Sequence, residues 1–282
     1  MSKSNESPDG NEQGQPLKNR LIFHFQGGQM TSLEDAIAIE EPIHIYLRQG
    51  RLQADLGFLM RTPGHDEDLV TGLMYSEQVI NQVSDIAGMR FVQSTAEFQV
   101  ALAPEVPWPS GLPERSYTAT TACGVCGRTT MDQLLNPLAL PYPEIQPVSA
   151  QVIENLPDRI RGLQNLFKVT GGVHAAALCD RQGNVWCLRE DVGRHNAVDK
   201  LIGSCIRSGK RNGIDGIMVV SGRLAFELVQ KAIVFRCPVL VAVGAPTTQA
   251  VELAEQYGMT LVGFTGQGRF NVYTHPDRIV LP

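Results

Sequence analysis

Gly216-Ile217-Met218-Val219-Val220-Ser221-Gly222-Arg223 opens the pattern that decides the fold. Its apolar run is unbroken, as in a strand buried on both faces. Leu224 to Phe235 follows as a helix, with Phe226, Leu228, Val229, Ala232 and Ile233 apolar. Pro238-Val239-Leu240-Val241-Ala242-Val243 is a second buried strand, and Gly244-Ala245-Pro246-Thr247-Thr248 opens a helix towards Tyr257. Thr260-Leu261-Val262-Gly263-Phe264 is a third strand. This alternation predicts a parallel sheet with right-handed crossovers. Ligands on such sheets sit beyond the C-terminal strand ends. Those ends carry Ser221-Gly222-Arg223, Gly244 to Thr248, and Thr265-Gly266-Gln267-Gly268-Arg269. Each alone is an ordinary turn. Converging, they favour an anionic ligand, because helix N-termini and arginines bind phosphate groups. No Walker loop and no Gly-x-Gly-x-x-Gly opens a helix, so this is not a standard nucleotide fold.

Upstream, Ser149 is placed as an N-cap, and Val152, Leu156, Ile160, Leu163 and Phe167 form a helical stripe that Pro157 must kink or divide. Thr170 to Cys179 and Val185-Trp186-Cys187-Leu188 flank the turn Asp180 to Asn184, as a hairpin or as a small-residue element before a strand. Cys179 and Cys187 are placed as small apolar fillers. Glu190-Asp191-Val192-Gly193-Arg194-His195-Asn196-Ala197-Val198-Asp199-Lys200 is the densest polar run of the folded chain. It is either a solvated helix start or the lining of a site.

Residues 1–18 are polar and rich in Ser, Asn, Gln, Gly and Pro, and are expected to be a disordered tail. Residues 19–115 are expected to form a small α+β domain. Its strand candidates are Leu21 to Phe25, Pro42 to Leu47, Arg90 to Val92 and Phe98 to Leu102, with a helix after Arg61-Thr62-Pro63-Gly64. His65 is a plain helix-start residue. Pro-rich breaks at Pro104 to Pro113 and at Pro137 to Pro147 bound a connecting segment, residues 116–147. Residues 148–282 make the larger domain. The chain's 43% hydrophobic content suffices for a core, and its net charge of -5 argues against unspecific nucleic-acid or membrane-surface binding. No apolar run reaches transmembrane length, no signal-peptide pattern opens the chain, and scattered cysteines suit a reducing cytoplasm.

The connecting segment holds Thr120-Thr121-Ala122-Cys123-Gly124-Val125-Cys126-Gly127-Arg128. Glycines leave both thiols unshielded, and a thiol at a helix start beside arginine is expected to be more acidic than usual. A Cys-x-x-Cys pair serves as half a zinc site, as a dithiol switch, or as nothing. A closed zinc site needs a second pair of ligands, and Cys179, Cys187, Cys205 and Cys237 form none. Thioredoxin-like use fits poorly after a Pro-rich run.

In these residues the sequence resembles the formate dehydrogenase accessory sulfurtransferases, the FdhD family. The matching stretches are Arg61 to Gly64, Cys123 to Gly127, Thr170 to Ala176, Glu190 to Lys200, Ser221 to Arg223, Ala245 to Thr247, and Leu261 to Phe264. The resemblance implies an α/β fold, with a cytidine-deaminase-like domain after a smaller α+β domain. It implies a sulfurtransferase that takes persulfide sulfur from a cysteine desulfurase. The sulfur goes to the molybdenum cofactor, Mo-bis(molybdopterin guanine dinucleotide), held as bound substrate for the formate dehydrogenase apoenzyme. It further implies a cytoplasmic homodimer with no metal bound directly by the protein. Cys123 matches the persulfide cysteine and Cys126 its partner. The cofactor-binding segment falls on Phe264, Thr265, Gly266, Gln267, Gly268 and Arg269. Many members carry Cys or Val and then Arg after the Phe. Here Thr265 and Gly266 stand there, and Arg269 is the candidate phosphate contact. A zinc deaminase is rejected, because His174-Ala175-Ala176 lacks the glutamate and Ala122 replaces the proline of that signature. A non-catalytic cofactor chaperone and a zinc-binding interaction module remain as rival functions.

Overall fold

Alternating apolar positions and glycine turns pair the N-terminal strands, while unbroken apolar strands build the sheet that follows. The computed structural model describes residues 14–109, 142, 145–210 and 212–281. Strands β1 (Leu17–Gln26) and β2 (Gln29–Ala38) form an antiparallel hairpin that turns at Gly27-Gly28, both at positive φ. β1 starts inside the stretch read as tail, and residues 1–13 lie outside the described residues. β2 has no counterpart in the sequence reading, because Gln29 to Asp35 keeps no sustained alternation.

Strands β3 (Glu41–Gln49), β4 (Leu52–Arg61), β5 (Ile86–Val92) and β6 (Glu97–Leu102) form a sheet in the order β4-β3-β6-β5. Ile43, Ile45 and Leu47 on β3 and Phe98, Val100 and Leu102 on β6 share one buried face, as a two-residue period requires. Helix α1 (Asp66–Ser76) covers that face with Val70 and Met74. Its first turn carries Asp66, Glu67 and Asp68, the sign that suits a helix N-terminus. His65 is its N-cap residue, in the left-handed region and without a side-chain cap bond.

The second half begins with β7 (Val148–Ser149), α2 (Ala150–Leu163) and α3 (Asn165–Thr170). Ser149 is at the N-cap of α2, but its side chain makes no cap bond. The helix runs through Pro157 unbroken, and the division falls instead at Gln164, whose ψ of 83° leaves the helical region. Leu163 and Phe167 therefore belong to different helices.

Next come β8 (His174–Cys179), β9 (Val185–Asp191), α4 (Arg194–Arg207), β10 (Ile217–Val220), α5 (Phe226–Val234), β11 (Val239–Ala242), α6 (Thr248–Gln256), β12 (Thr260–Gly266) and β13 (Arg269–Thr274). A last strand, β14 (Ile279–Val280), pairs with β7. The main sheet has the order β13-β12-β11-β10-β8-β9. Only its centre, β10-β11-β12, is parallel; β13, β8 and β9 run antiparallel to their neighbours. The parallel arrangement expected for β10, β11 and β12 is found, β8 and β9 form the hairpin alternative, and the mixed sheet comes from the antiparallel strands added at its flanks, since a short turn such as those of β8-β9 and β12-β13 cannot make a crossover. Both faces are covered: Ile217, Val219 and Val241 pack with Ile153, Leu156 and Ile160 of α2. Met218, Val220 and Leu240 pack with Leu201, Leu228 and Leu253 of α4, α5 and α6.

The sheets are joined where α1 crosses α4. A Cβ at Gly72 would fall 1.8 Å from the Asp199 carbonyl oxygen, and one at Gly203 would fall 1.9 Å from that of Asp68. The helix backbones touch, so neither position has room for a side chain. Gly203→Ala is expected to cost about 3 kcal/mol, since overpacking against backbone cannot relax through a rotamer. Gly162→Ala, with nothing within 4 Å of its Cβ site, is expected to be neutral or to stabilise by up to about 1 kcal/mol through helix propensity. Equal urea midpoints for the two variants would remove the close crossing.

Candidate functional site

The turns after the central strands are bound to one another through backbone. Val243 N–H donates to Val220 O at 3.2 Å, Gly244 N–H to Gly222 O at 3.2 Å, and Phe264 N–H to Gly244 O at 3.1 Å. The fit leaves no side-chain space: a Cβ at Gly244 would lie 2.8 Å from Gly222 O, and one at Gly263 would lie 3.0 Å from Pro246 Cδ. Phe264 is held at φ 53° and is 48% exposed. A bulky residue in the left-handed region costs about 1–3 kcal/mol, and such strain gathers at ligand clamps. Phe264 is thus fixed by its backbone to the Gly244 turn, with its side chain partly open to solvent.

The neighbouring strands bring polar groups to the same end of the sheet. His174 begins β8 and faces Asp191, the last residue of β9. Ser221 Oγ accepts from Ala175 N–H at 2.9 Å and lies 3.3 Å from His174 Nδ1. Gly222 sits against both His174 and Arg194, each 3.6 Å from the place of its absent Cβ. Gly193 caps α4, so the positive end of this helix, with Arg194 and His195 in its first turn, points here. Arg194 Nε and His195 Nε2 are buried without hydrogen-bond partners. Arg223, on the turn after β10, is exposed.

Both imidazoles are held neutral. Burial, then the Arg194 guanidinium, pushes His174 below its ordinary value. His195 is lowered to about 3 by burial, then by Lys231 and Arg194, while Glu227 lies 3.9 Å away. At neutral pH the charge of this rim comes from Arg194 and Arg223, with the histidines as uncharged donors or acceptors.

The open alternatives for Glu190 to Lys200 resolve into a third arrangement. Asp191, fully buried, accepts from Thr62 N–H at 3.1 Å, Gly193 N–H at 2.8 Å, Asn196 Nδ2 at 2.9 Å and Lys200 Nζ at 2.7 Å. Lys200 also donates to Thr62 O, and Asn196 to Met60 O. Asp199 receives Lys231 Nζ and Ser76 Oγ. The run is thus a buried polar seam between the sheets, and only Arg194 and His195 face the site. Glu190 serves another helix, accepting from Leu166 and Phe167 N–H at the start of α3.

Cys123 and Cys126 lie outside the described residues. Phe264 is joined to the strand-end turns as above. Thr265 is 2% exposed, and its Oγ1 is buried without a partner. Gly266, Gln267 and Gly268 turn the β12-β13 hairpin at positive φ. The Cβ site of Gly268 is 3.2 Å from Glu154 of α2, so the hairpin tip leans over the α2 face. Arg269 is exposed on that hairpin. The pairing of His174 with Ser221, and that of His195 with Glu227, was not legible in the sequence, since each pair is far apart along the chain. The density of polar residues between Glu190 and Lys200 was the available signal for His195. Among the described residues, no group of three or more His, Cys, Asp or Glu is placed to hold a metal ion. No described helix is long and apolar enough to cross a membrane.

His195 sets an acid limit on stability. Its folded value lies below its unfolded one, so the unfolded chain binds the extra proton between pH of about 6.5 and about 3, and stability falls as pH falls through that window. His195→Gln is expected to lose less melting temperature than the wild type between pH 7 and pH 4.5. Identical losses would show that the imidazole is not held neutral.

The FdhD/NarQ family model matches residues 38–280. The sulfur carrier protein FdhD of Sulfolobus acidocaldarius is 41% identical over 267 residues, covering 94% of this chain and 99% of that protein. The sulfur carrier protein FdhD of Streptomyces coelicolor is 37% identical over 278 residues, covering 95% and 97%. In fold, the chain is similar to the crystal structure of a protein from Desulfotalea psychrophila described as a formate dehydrogenase accessory protein. The TM-score is 0.70 at 22% identity, over 94% of this chain and all of that one. By the span of the family model and the identity to its relatives, the chain belongs to the FdhD/NarQ family.

Proposed function

We propose that the chain is a sulfur carrier in formate dehydrogenase maturation, acting as a sulfurtransferase. Relatives at 37–41% identity over nearly their whole length carry the name sulfur carrier protein, which supports the carrier role. In the finer reading, the Cys123 thiolate attacks the outer sulfur of a cysteine desulfurase persulfide. The sulfur–sulfur bond there breaks, the desulfurase thiolate leaves, and Cys123 holds the persulfide, with Cys126 beside it. In this reading the acceptor is Mo-bis(molybdopterin guanine dinucleotide), bound as substrate before its insertion into the formate dehydrogenase apoenzyme. The second half of the chain is read as cytidine-deaminase-like and the setting as the cytoplasm.

The observation that carries the binding half is the strand-end rim. The N-terminus of α4 and the guanidinium groups of Arg194 and Arg223 offer donors and positive charge to a diphosphate beside the Gly222 and Gly244 turns. The exposed Phe264 ring offers a stacking face to a purine. A homodimer belongs to the same proposal. The β1-β2 hairpin leaves Phe23 and Phe25 each 71% exposed, an apolar surface that a two-stranded unit does not stabilise by itself.

Incubation with a cysteine desulfurase and cysteine is expected to add sulfur mass to the peptide carrying Cys123. Cys123→Ala should still bind guanosine diphosphate yet leave formate dehydrogenase inactive. Full activation by that variant would remove the relay, and tolerance of losing both thiols, with failure on loss of Arg269, would favour the chaperone. Phe264→Ala is expected to weaken guanosine diphosphate binding about tenfold by calorimetry. Joint substitution Phe23→Glu and Phe25→Glu should shift the sedimentation coefficient to that of a monomer; an unchanged value places the dimer contact elsewhere.

A further inference from the structure

Ser221, which follows β10, is tied to Ala175 of β8 twice. Its N–H donates to Ala175 O at 3.0 Å, and its Oγ accepts from Ala175 N–H at 2.9 Å. The two bonds fix the serine rotamer and fill one lone pair of the hydroxyl. Among the described residues the oxygen has one further contact, His174 Nδ1 at 3.3 Å. The serine hydrogen therefore has one acceptor within reach, and it is a ring nitrogen. With the hydrogen on Nδ1 instead, a second donor would meet an oxygen that already accepts one, and the serine hydrogen would be left without a protein partner. These bonds decide which nitrogen of the neutral ring carries the hydrogen: Nδ1 accepts, so Nε2 is the N–H.

The surroundings hold the ring in that one form. Asp191 faces His174 across the ladder, but its oxygens are taken by Thr62 N–H, Gly193 N–H, Asn196 and Lys200. Burial, then the Arg194 guanidinium, keeps a second proton off the imidazole. His195, which follows Arg194 on α4, is neutral as well. The ring edge of Nδ1 and Cε1 lies 3.6 Å from the Cβ site of Gly222, as does Arg194 Cδ, so the glycine leaves this side of the ring and the arginine stem uncovered. Arg194 Nε and His195 Nε2 are shut away from solvent without partners, and His174 Nε2 is not. One nitrogen of the half-buried ring is thus bonded within the fold, and the other is open at the rim.

We propose that Ser221 is a positioning residue: by donating to Nδ1 it fixes His174 as a neutral Nε2–H donor to a phosphate oxygen of the ligand at the rim, a role that rests on the diphosphate reading of that site. Arg194 supplies charge, which attracts an anion from any side. The histidine supplies direction, because a fixed N–H is satisfied only by an atom with a free lone pair along its axis. A phosphoryl oxygen meets that demand, and a ligand amide or ammonium group placed there does not. Without the serine hydroxyl the ring is free to exchange tautomers, and Nε2 presents a lone pair to the phosphate for part of the time.

Nitrogen-15 labelling of the histidines reads the tautomer directly, with the His174 signals identified by their loss in His174→Gln. In the wild-type chain at pH 7, Nδ1 is expected at the chemical shift of a bare ring nitrogen and Nε2 at that of a protonated one. Ser221→Ala should move both signals towards averaged positions, and Ser221→Thr, which keeps a hydroxyl, should restore them. By calorimetry, Ser221→Ala is expected to weaken guanosine diphosphate about tenfold while leaving guanosine unchanged, and Ser221→Thr should recover most of that loss. A hydrogen on Nδ1 in the wild type would overturn the proposal, and this measurement decides even where Ser221→Ala fails to fold. Unmoved ring signals in Ser221→Ala would overturn it too, as would a loss equally large for guanosine, the mark of a loosened turn. A wild-type chain that binds no guanosine diphosphate would instead remove the ligand reading of the rim, and the donor role with it.

Discussion

A carboxylate shut away from water must have its lone pairs filled, and Asp191 fills them from both halves of the chain. Thr62 N–H and Lys200 reach one oxygen, and Gly193 N–H and Asn196 reach the other. Thr62 belongs to the segment leaving β4, while the others belong to the start of α4. The same ion thus fixes where α4 begins and where the first sheet attaches. Arg194 and His195 take their place at the strand ends because this anchor stands just before them. Removing either Asp191 or Lys200 would leave the other as an uncompensated buried charge, a loss typically of about 3–5 kcal/mol.

The rim follows from that placement. Three kinds of group meet there around Gly222: the glycine turns of the parallel strands, the positive end of α4, and the paired His174 and Ser221. Neutral histidines beside arginines suit a ligand whose negative charge belongs to phosphates, because the imidazoles supply hydrogen bonds without adding titrating charge near pH 7.

Local patterns carried most of the architecture into view. The apolar runs of β10, β11 and β12, the alternation of β3 and β6, and the acidic start of α1 are each written in neighbouring residues. The convergence of their strand-end turns was therefore legible, whereas Phe264 was singled out only by the family resemblance. The direction of β8, β9 and β13 was not legible, since periodicity does not say whether the next strand returns or crosses over. Pro157 does not divide its helix, because a helix with its other bonds and its buried stripe intact tolerates one missing donor. The seam from Asp191 to Lys231 was hidden for another reason. Its partners, such as Ser76 with Asp199, come from opposite ends of the chain, and no local spacing announces them. The burial of Thr265 is of the same kind, set by packing rather than by its neighbours in sequence.

The crossing of α1 on α4 at Gly72 and Gly203 has no cushion of side chains between the helices. Two rods in such contact cannot slide by swapping rotamers, as ordinary packed helices do. A torque applied to the four-stranded sheet by a docking protein would therefore reach the base of the rim as a rigid lever, without lost motion. The angle between the sheets is also closed to gradual drift, because each first step in tuning it would place an atom inside a neighbouring peptide.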